Sequence, residues 1–154
     1  MIEILTVIAI IAILTGIVLG VAKYSKGKAH HTKTLAKLRA LENGLDNCMG
    51  DRGYFPSTDT KGVVQLGEYS DFSADKLSDM ASTWDLQQGK FRDTQTGRTY
   101  LEGYEGGRYV DAWGHPFLYQ CDGNQHNKQT FDLFSAGHDG KVGTDDDVTN
   151  WQRN

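Results

Sequence analysis

The sequence predicts an α+β fold in which one long N-terminal helix packs on a small antiparallel β-sheet, with a C-terminal loop suited to a metal ion. Three observations predict it. Ile4 to Ala22 holds nineteen residues without a charge. Leu35, Leu38, Leu41 and Leu45, with Met49, then recur at spacings of three and four, the period of an amphipathic helix. Finally, the β-rich runs Phe117–Cys121 and Gln129–Ser135 flank a polar turn at Asp122–Lys128, the pattern of an antiparallel hairpin.

A chain of 154 residues holds one domain plus an anchor. With 16 basic residues against 20 acidic ones, nothing points to nucleic acid as a partner. Much of the aliphatic content sits in the first 22 positions, which leaves a polar body rich in Gly, Asp, Asn, Thr and Tyr. Such a body has a small core and leans on a long helix, a metal or a disulfide.

The run from Ile4 to Ala22 spans about 28 Å as a helix, close to the hydrocarbon thickness of a bilayer. Residues 1–22 therefore read as a hydrophobic anchor helix and 23–154 as the domain it carries. A cleaved signal peptide would have a shorter apolar run, basic residues before it and a small-residue site after it. Here no basic residue precedes the run, and Lys23, Tyr24, Ser25 and Lys26 follow it. Glu3 sits at the edge of this helix. Its carboxylate either lies at headgroup level near the positive helix terminus, or neutralises a partner's positive charge inside a bundle. Lys23, Lys26, Lys28, Lys33, Lys37 and Arg39 all follow the run, so the positive-inside rule alone would place the C-terminal part in the cytoplasm.

The amphipathic segment 23–51 continues the helix. Gly50 and Gly53 are expected to end it, and Pro56 to confirm the break. Gly16 and Gly20 weaken it near the end of the apolar run, each by up to about 1 kcal/mol relative to Ala. Residues 57–110 read as a variable loop region. Within it, Asp75 to Trp84 suggests a short helix. Glycines at 89, 97, 103, 106 and 107, with Tyr100, Tyr104 and Tyr109, suggest loops and short strands. Residues 111–151 carry the sheet and the acidic loop.

The segment Ser135–Val148 carries the clearest chemistry. Asp139, Asp145, Asp146 and Asp147 lie within nine residues, interleaved with Gly137, Gly140 and Gly143. Clustered carboxylates repel unless water or a cation separates them. Oxygen ligands on a glycine-rich turn suit Ca²⁺ rather than zinc or copper. The spacing is not that of an EF-hand, since Asn150 stands twelfth from Asp139. A solvated acidic loop is the alternative reading. Cys48 and Cys121 either pair outside the cytoplasm, adding about 2–4 kcal/mol, or remain two buried thiols. His115 near Asp111, and His138 beside Asp139, form no nucleophile motif, and no phosphate loop is present. His30 and His31 lie on a polar helix face without metal-ligand companions. No active site is expected.

Met1-Ile-Glu-Ile-Leu-Thr-Val-Ile-Ala-Ile-Ile-Ala-Ile-Leu resembles the start of mature type IV pilins and pseudopilins, where a Phe-Thr-Leu-Ile-Glu run is usual. Leu41-Glu-Asn-Gly-Leu45, Gly53-Tyr-Phe-Pro-Ser57 and Asp111-Ala-Trp-Gly114 resemble the major pseudopilin of type II secretion systems. So does Phe131-Asp-Leu-Phe-Ser-Ala-Gly-His-Asp-Gly-Lys-Val-Gly-Thr-Asp-Asp-Asp-Val-Thr-Asn-Trp151. The likeness covers the first ~56 and last ~45 positions. It implies a type IV pilin-like fold, and a prepilin cleaved by a membrane peptidase, with methylation of the new terminus. It also implies a single-pass anchor in the bacterial inner membrane and a periplasmic body. Subunits would polymerise into a helical pseudopilus, periplasmic or extracellular, with minor pseudopilins and an inner-membrane secretion platform as partners. Within the resemblance, Asp139, Asp146 and Asp147 bind Ca²⁺ through side chains, and Ala136 and Val142 through backbone carbonyls. Asp145 stays outside that set. Glu3 pairs with a neighbour's N-terminal amine. Two departures stand out. The chain starts two residues inside the usual motif, and Gly20 stands about where the family often has a helix-bending proline. A type IV pilus or other extracellular pilin-like filament is the alternative within this class, and a membrane-anchored enzyme or binding module the alternative outside it.

Overall fold

The computed structural model describes residues 2–55, 63–66, 84–85, 91–93, 97–105, 108–121 and 126–152. Of 18–24, 64, 84–85, 91–93 and 104–105 it describes the backbone alone. The helix α1 (Ile2–Arg52) accounts for 51 of the described residues. Among the described residues nine short strands follow: β1 (Val64–Gln65), β2 (Trp84–Asp85), β3 (Phe91–Asp93), β4 (Thr99–Leu101), β5 (Tyr104–Glu105), β6 (Arg108–Tyr109), β7 (Leu118–Gln120), β8 (Asp132–Ser135) and β9 (Val148–Thr149). They form an antiparallel four-stranded sheet in the order β1-β7-β8-β9, a three-stranded sheet β2-β3-β4 and the pair β5-β6. This is the α+β architecture of a helix on a small antiparallel sheet.

The helix changes character along its length. Its first described turns carry ten large apolar side chains, Ile2 through Ile17, each more than half exposed. Among the described residues no helix is long and apolar enough to cross a membrane, and the side chains of 18–24 lie outside the description. From Thr34 onward one face is buried: Thr34, Leu38, Leu41, Leu45 and Cys48 are at most 4% exposed. Their alternating spacing of four and three keeps them on one stripe. Cys48, not Met49, continues the stripe, because Met49 is turned out to solvent.

The helix stops at Gly53 rather than Gly50. Gly53 adopts φ 78°, and its N–H donates to Met49 O at 2.8 Å. That is a left-handed C-terminal cap, which glycine enters without a Cβ penalty. Pro56 lies outside the described residues. The last turn is fastened sideways, since Arg98 Nη1 meets both carboxylate oxygens of Asp51 at 2.8–2.9 Å and Tyr100 Oη donates to Oδ2 at 2.7 Å.

β4 crosses the helix at Gly44. A Cβ there would stand 2.1 Å from Tyr100 O and 2.6 Å from Leu101 Cδ2, so only glycine admits the strand this close. The core lies between this helix face and the larger sheet, filled by Tyr109, Phe117, Tyr119, Phe131 and Leu133 with the helix leucines. Phe55 meets Phe131 edge-on at 5.0 Å and locks the chain leaving the helix onto that core.

The expected hairpin forms, with Leu118 opposite Phe134, Tyr119 opposite Leu133 and Gln120 opposite Asp132. Residues 122–125 of its turn lie outside the described residues. So do 75–83 of the expected helix over 75–84. The other end of that expectation is corrected: Trp84 belongs to β2 and pairs with Asp93, as an aromatic residue suits a strand. Of the two cysteines, Cys48 is buried and Cys121 half-buried. Cys48 lies in the helix stripe with Sγ 4.0 Å from Tyr54 O, whereas Cys121 Sγ is 4.0 Å from Thr130 O beyond β7.

Candidate functional site

The acidic loop is the link between β8 and β9. Its two ends are clamped together, because Ser135 pairs with Val148 and Phe134 with Thr149. Between them the backbone turns at Gly137, Gly140 and Gly143, all with positive φ. Gly137 is the tightest of these. A Cβ there would stand 2.3 Å from Asp146 O, so the two sides of the loop touch through backbone.

Each carboxylate has its own task. Asp146 Oδ2 accepts the N–H groups of His138 and Asp139, at 2.6 and 3.0 Å, while Oδ1 accepts the Thr144 hydroxyl at 2.5 Å. The Thr144 hydroxyl, followed by these backbone donors, holds the Asp146 carboxyl below its ordinary value of 3.8 against the opposing effect of burial. Asp139 Oδ1 accepts Lys141 N at 2.8 Å, and Asp147 Oδ2 accepts Gly143 N at 2.7 Å. Asp147 Oδ1 is buried with no hydrogen-bond partner. Asp145 is exposed, Val142 is exposed and Ala136 is buried.

Asp139 and Asp146 are thus tied to one another, and Asp147 closes the opposite turn. Among the described residues no three His, Cys, Asp or Glu side chains are grouped so as to hold a metal ion. The donor chemistry nonetheless fits a hard cation. The loop offers the carboxylate oxygens of Asp139, Asp146 and Asp147, and a buried carboxylate oxygen without a partner costs free energy that a cation would offset.

A buried carboxylate braces the loop from below. Asp111, 3% exposed, accepts Trp113 N and His115 N at 2.8 Å through Oδ1 and Ser135 Oγ at 2.6 Å through Oδ2. His115 Nδ1 contacts Gly137 O at 2.8 Å, and its ring faces Gly140. Asp111 and His115 therefore both hold backbone in place. Ser135 is fully buried, so this arrangement offers no nucleophile to a substrate.

The family model described as "Type II secretion system (T2SS), protein G" matches residues 86–151. The type II secretion system core protein G of Escherichia coli K12 is 32% identical over 151 residues, covering 98% of this chain and 88% of the relative. The chain belongs to the type II secretion system core protein G family. The Aeromonas hydrophila core protein G is 31% identical over 156 residues, 98% of this chain and 89% of its own length. The crystal structure of the major pseudopilin from the type 2 secretion system of enterohaemorrhagic Escherichia coli is 27% identical, covers 82% of this chain and 87% of that one, and superposes with a TM-score of 0.46.

In this family member the sequence concealed a polar seam. Thr34 Oγ1 accepts Ala112 N at 3.1 Å, His30 Nδ1 contacts Ala112 O at 2.8 Å, and Lys37 Nζ donates to Val110 O at 2.9 Å. His30, expected on a polar helix face without metal-ligand companions, is thus a docking residue. Its ring also stacks 5.9 Å from Trp113, which meets the His138 ring edge-on at 6.4 Å. The signal was present as the i, i+4, i+7 spacing of 30, 34 and 37, one helix face, but polar residues on a helix read by default as solvated. Asn150 is another such residue. Its side chain accepts Leu133 N and donates to Phe131 O, both at 3.1 Å, joining the chain after β9 to β8.

Proposed function

We propose that the chain is a structural subunit, not an enzyme, that polymerises through its N-terminal helix into the helical pseudopilus of a type II secretion system. Family membership over nearly the whole chain supports this. The observation that carries the assembly mode is the exposed apolar stretch Ile2–Ile17 on a helix whose other end is packed into the body. Large apolar side chains on every side of a helix need lipid or other helices around them.

In this reading residues 1–22 anchor the newly made subunit in the bacterial inner membrane as a single pass, and 23–154 form the periplasmic body. A prepilin peptidase processes the terminus, which is then methylated. Minor pseudopilins and the inner-membrane platform are the partners in assembly. Glu3 faces a neighbour's N-terminal amine, which removes an uncompensated charge from the bundle.

The acidic loop takes Ca²⁺, through Asp139, Asp146 and Asp147 with the carbonyls of Ala136 and Val142. The ion would supply charge neutralisation and loop rigidity. The partnerless Asp147 Oδ1 supports this assignment. Replacing Glu3 by Ala tests the assembly role: membrane insertion should persist while filaments vanish, and normal filaments would contradict it.

A further inference from the structure

Between the apolar stretch and the body lies a neck that filament assembly alone does not explain. From Ile4 to Leu41 no acidic residue occurs, while six lysines and arginines lie between Lys23 and Arg39. Lys37 is engaged with Val110 O. Lys26, Lys28 and Lys33 are exposed, and among the described residues no side-chain hydrogen bond or ion pair holds them. Ser25 to Ala29 are exposed throughout, and His30 is the first residue that the body covers.

We propose that this neck is a docking surface for the anionic headgroups of phospholipids, engaged while the subunit stands in the bilayer. The proposal rests on residues 1–22 being the membrane anchor. If Ala22 marks the edge of the hydrocarbon, Lys26 and Lys28 stand about 6 and 9 Å beyond it along the axis. A headgroup layer is about 5–7 Å deep. Helical side chains lean toward the N-terminus, here toward the lipid, and long lysine stems extend that reach. At about 100° per residue, Lys28 lies about 200° around the helix from Lys26. Charges on opposite sides of an uncovered helix match headgroups that surround it, rather than a partner seated on one side. The rest of the chain has the opposite balance, because of 20 acidic residues only Glu3 precedes Glu42. An anionic surface therefore attracts the neck and repels the body, holding the body upright above the membrane.

The test uses the full chain in phosphatidylcholine vesicles that carry a trace of dansyl-labelled phosphatidylglycerol or dansyl-labelled phosphatidylcholine. Trp113, stacked on His30 at the lower edge of the body, is the natural energy donor. Corrected transfer should favour the phosphatidylglycerol probe by at least about threefold. That preference should collapse in about 1 M salt, where charges are screened within about 3 Å. It should also collapse in the Lys26→Gln/Lys28→Gln/Lys33→Gln variant. Vesicle flotation is scored separately. Flotation with equal transfer to both probes overturns the lipid site and leaves the anchor standing; failure to float overturns both. A variant that keeps its lipid preference but no longer forms filaments assigns the lysines to a second copy of the chain and also overturns the proposal.

Discussion

Gly44 and Gly137 are the two positions where a single methyl group decides the structure. At Gly44 the obstacle is the backbone of β4, which is held to the helix by the Asp51–Arg98–Tyr100 contacts as well. Gly44→Ala should cost at least about 1–3 kcal/mol through overpacking. A denaturant titration should show the midpoint falling with the slope unchanged. Gly137→Ala meets two penalties, a left-handed φ and the Asp146 carbonyl. It should loosen the loop more than the body, with faster amide exchange at His138 and Asp139 than at Leu133. Asp146 adds a pH dependence. Its folded pKa lies below the ordinary 3.8, so its contribution is complete above that value and is lost as pH falls through the depressed one. Loop amides followed by NMR should stay protected down to about pH 4 and lose protection below it; protection lost well above the ordinary carboxylate range would contradict the assignment.

At the scale of elements, the loop behaves as a unit closed by the β8–β9 pair below and by Asp146 within. If it holds Ca²⁺, calcium at about a hundredfold over Kd should stabilise the folded chain by about 2.7 kcal/mol. The readout is a rise in Tm of the full chain in detergent, absent in Asp147→Ala. An unchanged Tm on calcium addition to the native chain would remove the metal from this account. Much of this element-level structure was legible in the sequence. The leucine stripe and the Phe117–Ser135 hairpin announce themselves by period, because one face of each is buried against the core. The short edge strands β1 and β9 have only two residues each, too few for any period to register. Trp84 misled for a related reason, since two-residue β2 takes its identity from pairing with β3 and not from its own run. The carboxylates of the loop could be named from sequence, but their division of labour could not. Which oxygen caps which N–H depends on where Gly137, Gly140 and Gly143 turn the chain. Asp111 and His30 were hardest to read, since each acts on backbone far away in sequence.

For the whole molecule, the 51-residue helix divides into two environments. Its C-terminal half is the wall of a core, and its first turns expose apolar side chains with nothing of the body over them. In the proposed assembly the same helix would link a folded body to its neighbours, and the polar seam at His30, Thr34 and Lys37 fixes the body's position on it. Lys37→Met with Thr34→Val should leave the apolar stretch untouched yet weaken this seam, lowering stability by about 1–3 kcal/mol from the backbone groups of Val110 and Ala112 left without their partners. Urea unfolding of the full chain in detergent would measure it. Whether the apolar helix is the shared core of a filament can be read from cryo-electron microscopy of material assembled from the full chain. The expected image is a helical array with Ile2–Ile17 of each copy packed against its neighbours along the axis and the bodies outside. Filaments held together by the bodies alone, with those residues at the surface, would contradict it.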